Sequence, residues 1–197
     1  MNSFYRAFTG LRVTARVYTT AMQEKFAKTV TADIAEDAAK RVFEIPEIAG
    51  LTSTYFISLT LDDSTGKTVS RNFYWLSTKP ETLDWDKSTW YHTPTKTYAD
   101  YTALNKLPAA QLQLTAKGES ITVTNPSHSL AFAVHLKITR NGEEVLPVLW
   151  EDNYFPLLPG ETRTVTAKFS GRGPAAVEAS AWNAASVASR TTPVPGP

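Results

Sequence analysis

The stretch TYFISLTLDDSTGKTVSRNFYWL, Thr54 to Leu76, decides the class of fold. In its first eight residues Tyr55, Ile57, Leu59 and Leu61 fall on one face and alternate with Thr, Ser and a single Phe, the two-residue period of a strand. DDSTGK follows, with the Asp, Ser and Gly that tight turns use, and TVSRNFYWL then resumes as an extended run. Two strands joined by a short polar turn form an antiparallel hairpin, so the chain reads as all-β from this point outward.

Upstream, Leu11, Val13, Ala15 and Val17 alternate with Arg12, Thr14, Arg16 and Tyr18, again as in a half-buried strand. Between this run and the hairpin lies EKFAKTVTADIAEDAAKRVFEIP. It is rich in helix-forming Ala, Glu and Lys, yet Val30, Ala32 and Ile34 alternate with Thr and Asp. The alternation predicts two strands with a turn at Ala35 to Ala38. About five strands result for residues 1–78, where an immunoglobulin-type sandwich has about seven, so a strand is expected to be missing at the N-terminal side of this domain.

Residues 79–110 carry three prolines, scattered aromatics and no sustained period. They read as a linker with a short helical turn near Ala99 to Asn105. Free linkers are poor in Trp and Tyr, so this one is expected to be pressed against the surfaces it joins. Strands return from residue 111 at QLQLTA, SITVTN and LAFAVHLKITR, where Phe132, Val134, Leu136 and Ile138 share a face. Asn141-Gly142 is a strong two-residue hairpin signal with EEVLPVLW as the returning strand, and TRTVTAKF and AAVEASAWN alternate once more. The architecture is therefore two immunoglobulin-like sandwiches, residues 1–78 and 111–190, joined by an aromatic-rich packed linker, with a disordered tail over 191–197.

Bulk composition excludes several functions. The chain has 197 residues, of which 42% are apolar and 20% charged, and no run reaches a membrane-spanning length. Twenty basic against nineteen acidic residues leave a charge of +1, so no field gathers phosphates and nucleic acid is not an expected partner. There is no cysteine, which removes disulfides, thiol nucleophiles and cysteine-based zinc sites. The start MNSFYRAFTG lacks the apolar segment of a secretion signal, consistent with a cytoplasmic protein or with a longer chain that has been cut.

Among possible sites, LWEDNYFPLLPGE, Leu149 to Glu161, sets carboxylates beside aromatics, the ingredients of glycoside hydrolysis. Glu151 and Asp152 are adjacent, however, and neighbours on a strand point to opposite faces, so they cannot flank one glycosidic bond. The stretch reads instead as a structural corner. Asp152 and Asn153 are expected to bond nearby backbone, Trp150, Tyr154 and Phe155 to pack, and Pro159-Gly160 to turn the chain. Ser127 and Ser129 flank His128 without the Gly-x-Ser-x-Gly context of a nucleophile. His92, His128 and His135 lack zinc spacing, and the pairs Asp62-Asp63 and Asp84-Asp86 lack a calcium loop, so neither metal nor cofactor is expected. Trp75, Trp85, Trp90 and Tyr91 admit two readings, a platform for sugar rings or packing between domains, and their position at the junction favours packing.

Four stretches, SRNFYWLSTKPETLDW, STWYHTPTKTYADYTALNKLP, VTNPSHSLAFAVHLKI and VLPVLWEDNYFPLLPGE, resemble the C-terminal region of exo-β-D-glucosaminidases of glycoside hydrolase family 2, relatives of the β-mannosidases. The resemblance runs from about Phe4 to Trp182. It departs at Glu151, where Asp is common, and at Pro156, where a small polar residue is usual. It implies a secreted or periplasmic parent enzyme that cleaves glucosamine from chitosan oligosaccharides with retention, using two carboxylates in a (β/α)8 barrel that lies upstream. None of its catalytic residues maps onto this chain. The implied role is that of accessory domains bracing the barrel of the same chain, with oligosaccharide contact as the rival role and a β-mannosidase as the alternative parent.

Overall fold

The computed structural model describes residues 1–170 and 174–191. It separates into two units, Met1–Lys106 and Leu107–Pro197.

The first unit is built on one antiparallel sheet. Strands β1 (Phe8–Thr19), β2 (Glu24–Ile34), β3 (Thr54–Asp62) and β4 (Thr68–Ser77) are ordered β2-β1-β3-β4. The expected hairpin is β3-β4, with Tyr55 opposite Leu76 and Ile57 opposite Tyr74. Its turn is held by Asp63, whose Oδ1 accepts from the backbone N–H of Thr65 (2.9 Å) and of Lys67 (3.0 Å). The register of β1 sets Val17 beside Ile57 on one face and Tyr18 beside Phe56 on the other. Both faces carry buried apolar residues near this end, with Val17 and Phe56 fully buried.

One part of the sequence reading needs correction here. A turn does form at Glu36 and Asp37, but no second strand follows it, and residues 39–53 run without regular structure. Pro46 cannot donate to a ladder, and Gly50 adopts φ +72°, so the segment is poorly suited to extend the sheet beyond β2. It folds over the sheet instead. Ile45, Pro46, Ile48 and Leu51 face Val17, Tyr55 and Ile57 across a cavity of about 410 Å³. Residues 1–78 thus form one four-stranded sheet where about five strands were expected.

The expected linker divides at Lys106. Residues 79–106 belong to the first unit, where the short strands β5 (Thr82–Leu83) and β6 (Thr95–Thr97) pair into a ribbon. A 3-10 turn over Thr102–Lys106 supplies the helical turn expected there. This segment is tied to the sheet by Thr54 Oγ1, which donates to Asp100 O (3.0 Å), and by Asp100 N–H, which donates to Ser77 Oγ (3.1 Å). Ala110, by contrast, is buried in the core of the second unit.

That unit is a two-layer sandwich. Strands β7 (Gln113–Lys117), β8 (Ser120–Thr124), β11 (Val148–Trp150) and β13 (Thr162–Phe169) form one sheet, ordered β11-β13-β8-β7. Strands β9 (Ala131–Arg140), β10 (Glu143–Glu144), β14 (Ala175–Ala181) and β15 (Ala184–Thr191) form the other, and β12 (Phe155–Leu157) also pairs with β9. Val134, Leu136 and Ile138 point inward from β9 to meet Ile121, Val123, Val165 and Val177, all buried. Alternate positions Ala133, His135 and Lys137 lie outside this core, as the period requires.

The strand expected to return after Asn141-Gly142 is split. Glu143 and Glu144 pair with β9, after which the chain leaves that sheet through the cis Leu146-Pro147 bond, and Val148–Trp150 joins β13 in the opposite layer. Strand β15, which lies beyond the last strand read from the sequence, closes the sheet against β14. Apart from Thr191, the expected tail lies outside the described residues.

Candidate functional site

The corner at Leu149 to Glu161 connects the two layers of the second unit, from β11 through β12 to β13. Each of its carboxylates has a local partner. Glu151 Oε2 accepts from the backbone N–H and the hydroxyl of Thr166, both at 3.0 Å. Asp152 Oδ2 meets Arg163 Nη1 at 2.8 Å, an ion pair in place of the backbone bond expected for it. The same guanidinium lies over the ring of Phe155, 4.6 Å from its centroid. Glu161 Oε2 accepts from Leu158 N–H at 2.9 Å. Carboxylates so engaged fix the ends of strands and offer no free pair for acid and base chemistry.

The neutral members of the corner have distinct places. Asn153 bonds to the backbone of Leu136, Phe155 is buried, and Trp150 is half-buried against the core. Tyr154 is exposed, with φ +57°, and stacks on His135 with ring centroids 4.6 Å apart, so it packs outside the core. Pro159 and Gly160 occupy the middle of a turn closed by Glu161 N–H donating to Leu158 O at 3.0 Å. Gly160 has φ +74°, the conformation that a type II turn demands at its third residue.

The other polar candidates do not converge. Ser127 hydrogen-bonds Asn125, whereas His128 is exposed. Asp84 pairs with Lys87 at 3.1 Å. Asp62 accepts from the Thr68 hydroxyl at 2.7 Å, and among the described residues no group of three or more His, Asp or Glu could hold a metal ion. Also among the described residues, no helix is long and apolar enough to cross a membrane.

Sequence reasoning passed over two asparagines that organise the second unit. Asn125 is fully buried, and its Nδ2 donates to the carbonyls of Ser129, Leu157 and Leu158. Asn183 Nδ2 donates to Pro108 O and Leu130 O, both at 2.7 Å, while its Oδ1 accepts from Phe132 N–H. The available signal was an Asn at each end of a strand run, TVTN and SAWN, where turn chemistry begins.

The aromatic candidates separate. Trp75 lies on β4 and is 47% exposed, while Trp85, Trp90 and Tyr91 sit on the ribbon and are 71%, 94% and 74% exposed. These three rings are thus not buried within the first unit. Trp90 and Tyr91 touch each other edge to face, with centroids 5.0 Å apart and planes at 72°. Two rings so disposed make a corner and not a flat platform.

Comparison with known proteins shows what the chain is similar to. Residues 90–184 match the exo-β-D-glucosaminidase Ig-fold domain, and residues 2–79 match the mannosidase Ig/CBM-like domain. The exo-β-D-glucosaminidase of Amycolatopsis orientalis is 37% identical over 100% of this chain, and that of Streptomyces avermitilis is 38% identical over 94%. The chain spans only 20% and 23% of those two proteins. The crystal structure of the Amycolatopsis orientalis exo-chitosanase CsxA superposes with a TM-score of 0.85 at 37% identity, covering 94% of this chain and 24% of that one.

Proposed function

Because the chain carries the Ig-fold domains of the exo-β-D-glucosaminidases and corresponds to about a fifth of such an enzyme, we propose that it is a non-catalytic accessory region bracing a catalytic barrel. The parent activity on this reading is retaining exo-hydrolysis of chitosan oligosaccharides. The observation that carries the proposal is the alignment with the Amycolatopsis orientalis enzyme over the whole of this chain and only a fifth of that one. The engaged carboxylates of the 149–161 corner agree with it, since retaining hydrolysis needs two carboxyl groups about 5 Å apart on either side of one bond.

The test is an exchange. This chain replaces the homologous fifth of the Amycolatopsis orientalis enzyme, and hydrolysis of p-nitrophenyl β-D-glucosaminide is followed for the chimera, for the enzyme lacking the region, and for this chain alone. The expected result is activity in the chimera, loss on deletion, and none from the chain. Hydrolysis by the isolated chain, or a folded chimera no more active than the deletion, would overturn the reading.

A further inference from the structure

The ribbon at residues 82–97 has a hydrogen-bonded tip that presents exposed aromatic side chains. Thr89 N–H donates to His92 O at 2.8 Å, Asp84 N–H donates to Pro94 O at 2.8 Å, and the hydroxyls of Ser88 and Thr93 share a bond of 2.7 Å. These bonds close the turn that presents Trp90 and Tyr91, and among the described residues the ring contact of each is with the other. A nearly fully exposed Trp beside an exposed Tyr on an ordered turn is the composition of an interface anchor. Large apolar rings already held in place lose little entropy on binding and dominate association energies.

We infer that the Trp90–Tyr91 tip is the surface by which this chain docks onto the catalytic part of the enzyme, with the two rings seated in an apolar pocket there. The inference rests on the accessory reading above. Two observations select this partner. The relatives are four to five times longer than this chain, which leaves most of such an enzyme to supply a pocket. Lastly, residues 79–98 carry Glu81, Asp84 and Asp86 against Lys79, Lys87 and Lys96, so the ribbon has no net charge. A cationic amino-sugar chain would gain nothing electrostatically from such a surface, and perpendicular rings cannot both stack on one flat sugar strand. A desolvated protein contact suits both facts.

The test uses W90A/Y91A in the isolated chain and in the Amycolatopsis orientalis chimera. Because both rings are exposed, the isolated variant should unfold at an unchanged midpoint, which shows that it folds. In the chimera the half-life of activity at an inactivating temperature should fall about tenfold or more, as for loss of an interface hot spot. W90F/Y91F should restore part of it. An unchanged half-life in an active chimera would overturn the docking surface and leave the accessory reading standing, whereas an inactive unsubstituted chimera would overturn both. Quenching of the isolated chain's Trp fluorescence by chito-oligosaccharides, abolished by W90A, would also overturn the inference and assign the tip to sugar.

Discussion

The side-chain amide of Asn153 pairs with the backbone of Leu136 as another strand residue would. Its Oδ1 accepts from Leu136 N–H at 2.8 Å and its Nδ2 donates to Leu136 O at 2.9 Å. The register explains the arrangement. Phe155 stands opposite Val134, so two residues further along Asn153 falls opposite Leu136, where the chain is already turning away toward β11. The side chain thus continues a ladder that the backbone abandons. Asn153→Ala should cost about 1–3 kcal/mol in urea unfolding, since it strips both partners from Leu136. Asn153→Asp should restore little, because a carboxylate faces the Leu136 carbonyl without a proton to donate. Stability of the Asp variant equal to wild type would sink this account.

Asn125 makes the companion case in the buried interior. Three carbonyls, of Ser129, Leu157 and Leu158, receive bonds from its Nδ2. In Asn125→Asp one oxygen would keep the donors of Ser127, but the other would face three carbonyl oxygens in a fully buried place, and this repulsion with the desolvation disfavours the charged form and raises the folded pKa above the unfolded value. A group so raised is least harmful below its unfolded pKa and increasingly destabilising as pH rises through the folded one. Urea melts of the variant should therefore lie closer to wild type at acid pH than at neutral pH. The opposite order would show that the site tolerates a charge.

These two residues mark where the sequence stops being legible. Alternation revealed β1, β3, β9 and β13 because each sets β-branched, aromatic or leucine side chains on one face, whereas β4 was legible from the polar turn that precedes it. Strand β15, AASVASRT, is mostly Ala and Ser, with only Val187 and Thr191 favouring a strand, and exists because β14 offers it an edge. The split after Asn141-Gly142 was hidden because a hairpin signal fixes where a strand turns and says nothing of which sheet it then joins. At the corner, residue types indicated packing and turning, but the Asp152–Arg163 pair depends on a strand eleven residues away. Exposure of Trp90 and Tyr91 was illegible for a similar reason: ring composition does not say what lies opposite.

Acid sensitivity should have an identifiable contributor in the second unit. Glu178 on β14 stands opposite Lys137 on β9, and their side chains meet at 2.9 Å. The hydrogen bond from Lys137 holds the Glu178 carboxyl below its ordinary range, helped by the same ion's charge and by Thr139. A depressed folded pKa gives stability that is present above the unfolded value and is lost as pH falls through the folded one. Wild type should therefore exceed Glu178→Gln in stability at neutral pH, by no more than about 1 kcal/mol because the pair is partly solvated. The difference should vanish in acid and shrink with salt. A gap that persists at low pH would mean that the substitution acts through packing.

The turn at Pro159-Gly160 provides a test of backbone conformation alone. A Cβ added at Gly160 would meet no atom within 4 Å, so Gly160→Ala carries no steric clash, only the cost of a side chain at φ +74°. Loss of about 1 kcal/mol is expected, with an unchanged denaturant slope. No loss would indicate that the connection between β12 and β13 relaxes to another turn.

The most direct challenge to the accessory reading is to treat the corner as though it were catalytic. Glu151 and Asp152 are the residues that a glycosidase interpretation would select, yet one is bound to Thr166 and the other to Arg163. Glu151→Gln preserves shape and can still accept from Thr166, and Asp152→Asn keeps a single bond to Arg163 while losing its charge. In the Amycolatopsis orientalis chimera the double variant should hydrolyse p-nitrophenyl β-D-glucosaminide within about twofold of the unsubstituted chimera. Removing a true acid or base costs about a hundredfold or more, so the two outcomes are well separated. A loss of that size, with the unfolding midpoint held, would mean that the carboxylates leave their partners in the assembled enzyme and take part in chemistry, and the accessory reading would fall.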